Sequence, residues 1–275
     1  MRFIISHFLN EEYLLKWWLP HHKNKFDHGI MIDYGSTDGS VELVKKICPT
    51  WQVIRSRNNN FKAIDVDMEV LDIEVQIQRA HPRSWVIALN STEFFVGNTE
   101  KLINGIPFSS QKLVAGQVMV DTPEQMWLDA DPNLPLVHQR SFGVPLEFNV
   151  GNSLNPHLSK LEKLSHQEKV LYSNRGMRSL HNYVVDYRVS SMWGVGRHFW
   201  GDPCEDFKIL WYGYSPYTES LIDRQLAIKK TIPPEDAAVG NGVQHQLTRE
   251  DSLNRFYYHQ RFAIDLKDEI EKLEK

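Results

Sequence analysis

Cysteine is nearly absent from the 275 residues: Cys48 and Cys204 are the only two, far apart in the chain. At that separation they have neither metal nor redox spacing, so the sequence reads as one from a reducing compartment with two ordinary thiols. Basic residues are not in excess either. Thirty-one Lys and Arg against 35 Asp and Glu give a formal charge of −4. No surplus remains to neutralise phosphates, which argues against nucleic acid as a partner. No apolar run approaches the roughly 18 residues that a membrane span requires. The N-terminal Arg2-Phe-Ile-Ile-Ser is a short run soon followed by Glu11 and Glu12, unlike a secretory leader, and the expected location is cytoplasmic. Repeats and low-complexity tracts are missing. So is a glycine-rich phosphate loop after the first strand, where SHFLNE stands instead, and this disfavours a nucleotidyltransferase.

What is present suits a globular α/β protein. The hydrophobic share of 41% and the aromatic share of 11% can fill a sizeable core, and the length favours one large domain. Residues 3–8 read as a first strand, with Asn10 expected to cap a helix carrying Glu11 and Glu12 in its first turn. Pro20 is expected to end or bend that helix before His21 and His22, which sit as neighbours on different faces and suit surface or hydrogen-bonding roles.

The stretch DHGIMIDYGSTDGSVELVKK organises the rest. It reads as a buried strand at Ile30, Met31 and Ile32, a polar turn, and a helix whose Val41, Val44 and Cys48 face a sheet. Gly35 and Gly39 free the turn's backbone. Asp33, Ser36, Thr37 and Asp38 place oxygens at the strand's carboxyl end, with Asp38 positioned as a helix cap. Ligands gather at such strand ends in open α/β sheets, so the turn is a candidate nucleotide site as well as a plain strand–turn–helix.

Further along, residues 51–54 read as a strand ending in a cationic loop with Arg55 and Arg57. Residues 64–78 are read as a helix, because a parallel sheet needs a crossover there. Its acids Asp65, Asp67, Glu69, Asp72 and Glu74 are read as a solvated face. Residues 84–89 form the central strand and 112–120 another. From 121 to 151 the chain turns irregular and proline-rich, long enough to suggest a binding segment or lid, with Trp127 and His138 as sugar-stacking candidates. Residues 169–172 read as a strand, followed by Arg175 and Arg178, whose forked geometry suits a diphosphate. Residues 248–275 read as a helix that packs on the domain or pairs with a second copy.

The wording I-D-Y-G-S-T-D-G-S resembles the D-D-G-S-T-D-G turn of family 2 glycosyltransferases of the GT-A fold. The preceding FLNEEYLLKWWLPHHKNKFDHG resembles the opening of a subgroup, N-E-x-x-x-L, a short helix and His-His before the strand. The match is close over residues 3–58 and weaker to about 260. It implies a Rossmann-type, mostly parallel sheet flanked by helices. A nucleotide-sugar-binding half would cover about 1–120, an irregular acceptor-side half about 121–247, and a C-terminal helix 248–275. It implies a nucleotide-sugar donor, a glycan or other hydroxyl acceptor, and transfer with inversion.

Residue by residue, the resemblance places Asn10, Glu11, Asp33, Tyr34, Ser36, Asp38, Asn90, Thr92 and Glu93 on the donor, and the cationic loop and the guanidinium fork add Arg57 and Arg178 as donor-binding candidates. The chain departs from the family at Asn90-Ser91-Thr92, where Asp-x-Asp would hold Mn²⁺ or Mg²⁺ on the diphosphate. Neutral oxygens lack the anionic attraction that hard cations favour. Three outcomes stay open: Glu93 holds a metal with His181 or His245, cationic side chains replace the metal, or the protein does not catalyse transfer. The stretch GDPCEDFKILWYGYSP resembles the subgroup's second signature. There Asp206 is the first choice for the base that deprotonates the acceptor, with Glu205 and Glu219 as alternatives. Trp211, Tyr212 and Tyr214 would form the acceptor's sugar platform.

Overall fold

The computed structural model describes residues 1–102, 109–144, 177–185, 196–197, 199, 202–239 and 247–275. Strands β1 (Arg2–Phe8), β2 (His28–Asp33), β3 (Gln52–Arg55) and β4 (Trp85–Ala88) form a parallel block in the order β3-β2-β1-β4. Helices α1 (Glu12–His22), α2 (Ser40–Ile47) and α3 (Ala63–Ala80) make the crossovers that parallel pairing demands. Period-2 alternation decides which core each strand residue joins. Ile4, Phe8, Met31, Trp85 and Ile87 pack with Leu14, Trp18 and Val44 on the α1–α2 face. Phe3, Ile5, Ile32 and Val86 pack with Val66, Val70, Ile73 and Ile77 of α3 on the other. The result is a mixed α/β fold with helices on both faces of its central sheet.

Beyond β4 the sheet turns largely antiparallel. β6 (Gln111–Val120) pairs with β8 (Arg178–His181), which closes on β4, and with β7 (Phe142–Gly143). The aromatic run near 211 belongs to a strand, β9 (Lys208–Tyr214), parallel to β6 and antiparallel to β5 (Glu93–Val96). The irregular stretch contains the short helix α4 (Leu136–Gln139) among its described residues. Helices α5 (Glu219–Ile228) and α6 (Pro234–Ala238) follow β9.

Several expectations are corrected. Helix α1 continues through Pro20 to His22, and Lys23 still donates to the Leu19 carbonyl. Of the surface or hydrogen-bonding roles expected for His21 and His22 the structure shows the second: His21 bonds the Phe95 carbonyl at 2.7 Å, and the buried His22 accepts from the Phe95 N–H at 3.0 Å. The C-terminal segment is two helices, α7 (Arg249–Gln260) and α8 (Lys267–Glu274), separated by strand β10 (Ile264–Asp265). Leu266 breaks the run by donating its N–H to Ser141 while burying its side chain in the core. The acids of α3 are not a solvated face. Asp67, Glu69 and Glu74 are buried, because each finds donors: Gly196 N–H for Asp67, Tyr34 and Ser56 hydroxyls for Glu69, Arg197 for Glu74. No helix among the described residues is long and apolar enough to cross a membrane.

Candidate functional site

The turns after β1 and β2 are stitched to each other. Asn10 has φ 54°, in the left-handed region that asparagine tolerates. Its side-chain oxygen accepts from the N–H of Thr37 at 2.7 Å rather than capping α1. Asp38 accepts from the N–H groups of Ser40 at 3.0 Å and Glu12 at 3.1 Å, the first residues of α2 and α1. Ser36 and Ser40 accept from the N–H groups of Asn10 and Glu11. Asp33 accepts from Gly35 and Ser36 N–H at 3.0 and 2.8 Å, with Gly35 held at φ 95°. The polar residues of this motif thus satisfy the free N–H groups at two helix starts.

Beside these turns, a cavity of about 550 Å³ opens at the carboxyl ends of β1 and β4. Its walls come from α3, the β4–β5 loop, the end of β9, and α5 with the residues that follow to Asp236. Seven of the residues singled out in the sequence line it: Asn10, Glu11, Asn90, Thr92, Arg178, Trp211 and Tyr214. Asp33, Tyr34, Ser36 and Asp38 sit in the adjoining turn. Arg57 pairs with Asp72 at 2.7 Å. Tyr212 is fully buried, its hydroxyl donating to the Arg140 carbonyl at 2.9 Å.

Asp206 and Glu205 precede β9, whereas the cavity receives the other end of that strand at Gly213 and Tyr214. At about 3.3 Å per residue the separation is roughly 20 Å. Asp206 there pairs with Lys112 at 3.0 Å. Glu219 is exposed and pairs with Arg249. Trp127 is exposed and His138 lies on α4, neither of them on the cavity wall. Arg175, the strand expected at 169–172 and His245 lie outside the described residues.

Glu93, the carboxylate expected to hold a metal, is already engaged. Its carboxylate accepts from Arg178 Nε at 3.0 and 3.1 Å and Nη2 at 2.8 Å, and from the Asn90 N–H at 2.8 Å. A two-pronged guanidinium leaves this carboxylate neutralised, and Asn90 and Thr92 beside it are uncharged. His181 lies elsewhere, buried on β8 with Nε2 3.7 Å from Glu74. Among the described residues no three His, Cys, Asp or Glu side chains form a set able to hold a metal ion. The donors at this strand end do not fit a divalent cation.

Sequence reasoning passed over several wall residues. His7 was discoverable from the rule that ligands gather at strand ends. Burial, with the nearby Arg178 charge, holds its imidazole down to about 4, while Glu69 pulls the other way. Asp67 is pushed up to about 6 by burial, against the Gly196 N–H and the charges of Arg197 and Arg178. Arg224, Lys230 and Arg255 also line the cavity. They carry no local motif, because α5 and α7 reach the site only through the tertiary fold.

No family profile and no curated protein matches the chain. Among solved structures, it aligns with S. aureus TarS 1-349 in complex with UDP at 16% identity and TM-score 0.32, over 64% of this chain and 55% of that one. TarS 1-349 without ligand aligns at 13% identity and TM-score 0.31, over 94% and 72%. A putative glucose-1-phosphate thymidylyltransferase from Bacillus anthracis, in complex with sucrose, aligns at 11% identity and TM-score 0.30, over 62% and 81%.

Proposed function

We propose that the chain is an inverting glycosyltransferase of the GT-A type that binds a nucleotide-diphosphate sugar in this cavity. One observation carries the reading: the Asn10–Glu11 turn and the Asn90–Thr92 loop, matched by the sequence resemblance, line a single cavity together with Arg178. Its volume, about 550 Å³, lies in the range of small-molecule sites. Five cations reach its wall: Arg178, Arg197 and Arg224, paired with Glu93, Glu74 and Glu11, and Lys230 and Arg255 beside Asp67 and Asp236. In this reading these side chains, and not a divalent ion, meet the diphosphate, whose oxygens compete with the paired carboxylates for the guanidinium groups. Trp211, partly buried on the wall, offers a flat apolar face for a sugar ring, while Tyr214 is buried behind it.

In this reading the acceptor hydroxyl attacks the anomeric carbon, and the bond from that carbon to the diphosphate oxygen breaks. The nucleoside diphosphate leaves with the electron pair, and a base takes the hydroxyl proton. Asp67 is assigned that role, as a wall carboxylate whose proton affinity lies near the working pH. Asp206, the base implied by the resemblance, is the rival assignment.

A second reading is a silent nucleotide-sugar-binding protein, favoured by the neutral Asn90 and Thr92 and by a Glu93 engaged with Arg178. Calorimetry with nucleoside diphosphates and nucleotide sugars, with Mg²⁺, Mn²⁺ or EDTA, separates the two when paired with a turnover assay. Metal-independent binding with release of nucleoside diphosphate supports the enzyme. Binding without release supports the silent protein, and no binding sinks both.

A further inference from the structure

We propose that His7 takes up a proton when a diphosphate ligand enters the cavity, adding a positive charge to the wall only when an anion is there to meet it. The inference rests on the nucleotide-sugar reading above. His7 stands one residue before the end of β1, among the residues lining the cavity. Alternation along the strand puts it on the α3 side with Ile5, beside the stacked pair of Tyr34 and Phe61, whose ring centroids lie 6.3 and 6.0 Å away. No hydrogen bond from a described residue occupies either of its ring nitrogens.

The groups that bear on its charge come from two elements besides its own. Arg178 of β8 opposes protonation and Glu69 of α3 favours it, while burial opposes it most. Asp67 of α3 shares the same cavity wall. Glu69 is already committed to the hydroxyls of Tyr34 and Ser56, the Arg57 N–H and the Asn58 amide. An entering diphosphate changes this balance. It neutralises the Arg178 field and sets negative charge near an imidazole, and opposite charge within a few ångströms raises a proton affinity by about 1–3 units. Starting from about 4, such a rise brings the ring's titration toward pH 6.

The test is calorimetry at pH 6 in two buffers of different ionisation enthalpy, with UDP-glucose and GDP-mannose as probes. Their diphosphate diesters do not titrate between about pH 5 and 8, so any buffer dependence belongs to the protein. The expected result is proton uptake on binding, about 0.1 to 0.9 proton per ligand for the shift of about 1–3 units above. Uptake is lost in His7→Gln and retained in Asp67→Asn. NMR of the His7 ring in the wild-type protein, free and saturated with probe, keeps the test independent of whether the variants fold; the ring's titration is expected to move upward on binding. Binding with equal enthalpy in both buffers, or a ring titration unmoved by ligand, overturns the proposal while leaving the nucleotide-sugar reading intact. Absence of binding by both probes and by inorganic pyrophosphate overturns that reading, and the proposal with it.

Discussion

Arg224 grips Glu11 with two parallel hydrogen bonds, Nε to Oε2 and Nη2 to Oε1, both 2.6 Å long. The pair ties α5 to the turn between β1 and α1 across the cavity, and both side chains are almost withdrawn from solvent, at 12% and 9% exposure. Removing one partner of a buried pair strands the other charge, at a cost of about 3–5 kcal/mol. Arg224→Ala is therefore expected to lower the urea midpoint strongly. Arg224→Lys should recover only part of it, because an ammonium lacks the fork. A double-mutant cycle with Glu11→Gln measures the coupling, and additive losses would show that the pair contributes nothing as a pair.

Acid should unfold this protein through its histidines. Burial holds His7 at about 4 and His21 and His259 at about 3, against an ordinary value of 6.5. Their contribution is fully present above pH 6.5 and is lost as pH falls from there toward 4 and 3. Asp67 and Asp121, both raised to about 6 by burial, run the opposite way. What they contribute is fully present below their ordinary 3.8 and is lost as pH rises through 6. Near pH 5 the three histidines outweigh the two aspartates, so unfolding there takes up a net proton, about one or more. Urea titrations from pH 7 to 4 should show a falling midpoint; a flat or rising one would contradict these assignments.

The assignment of the base is decided by a pair of variants. Asp67→Asn is expected to lower turnover by at least the roughly 10²-fold typical of removing a general base, with donor binding retained. Should Asp206→Asn produce that loss and Asp67→Asn leave turnover intact, the base is Asp206 and the acceptor reaches it by a route outside this cavity.

Gly97 has φ 138°, and a side-chain carbon there would lie 2.7 Å from the Asp206 carbonyl oxygen and 2.4 Å from the Phe207 ring. Gly35, at φ 95°, would meet only the end of the Arg55 side chain, which is flexible and exposed. Gly97→Ala is therefore expected to destabilise more than Gly35→Ala, the latter by about 1–2 kcal/mol from backbone strain alone. Equal midpoints in urea would contradict this.

Much of the parallel half was legible because its signals are local. Residues 3–8 and 30–32 carry their own apolar runs, and the Gly35 turn announces the change from strand to helix. The acids of α3 misled because charge is a good guide to exposure only when no partner is in view. The partners of Asp67, Glu69 and Glu74 come from Gly196, Tyr34, Ser56 and Arg197, up to 129 positions away. Strand β9 was hidden for a related reason. Its aromatics suggested a sugar platform, yet Tyr212 and Tyr214 are both buried in core clusters, and Trp211 alone of the three is only partly buried on the cavity wall. The cavity's cations were illegible because Arg224 and Arg255 meet it from helices whose placement depends on the whole fold.

Ala227 lies on α5, exposed at its surface and on the cavity wall, so a bulky side chain there fills the cavity without disturbing the core. Titration of nucleotide sugars into the wild-type protein and Ala227→Trp, in EDTA, tests the central claim most directly. The account predicts saturable binding by at least one nucleotide sugar to the wild type and its loss in the variant. Equal binding by both proteins would place the ligand elsewhere, and no binding by either would leave the cavity without the role assigned to it.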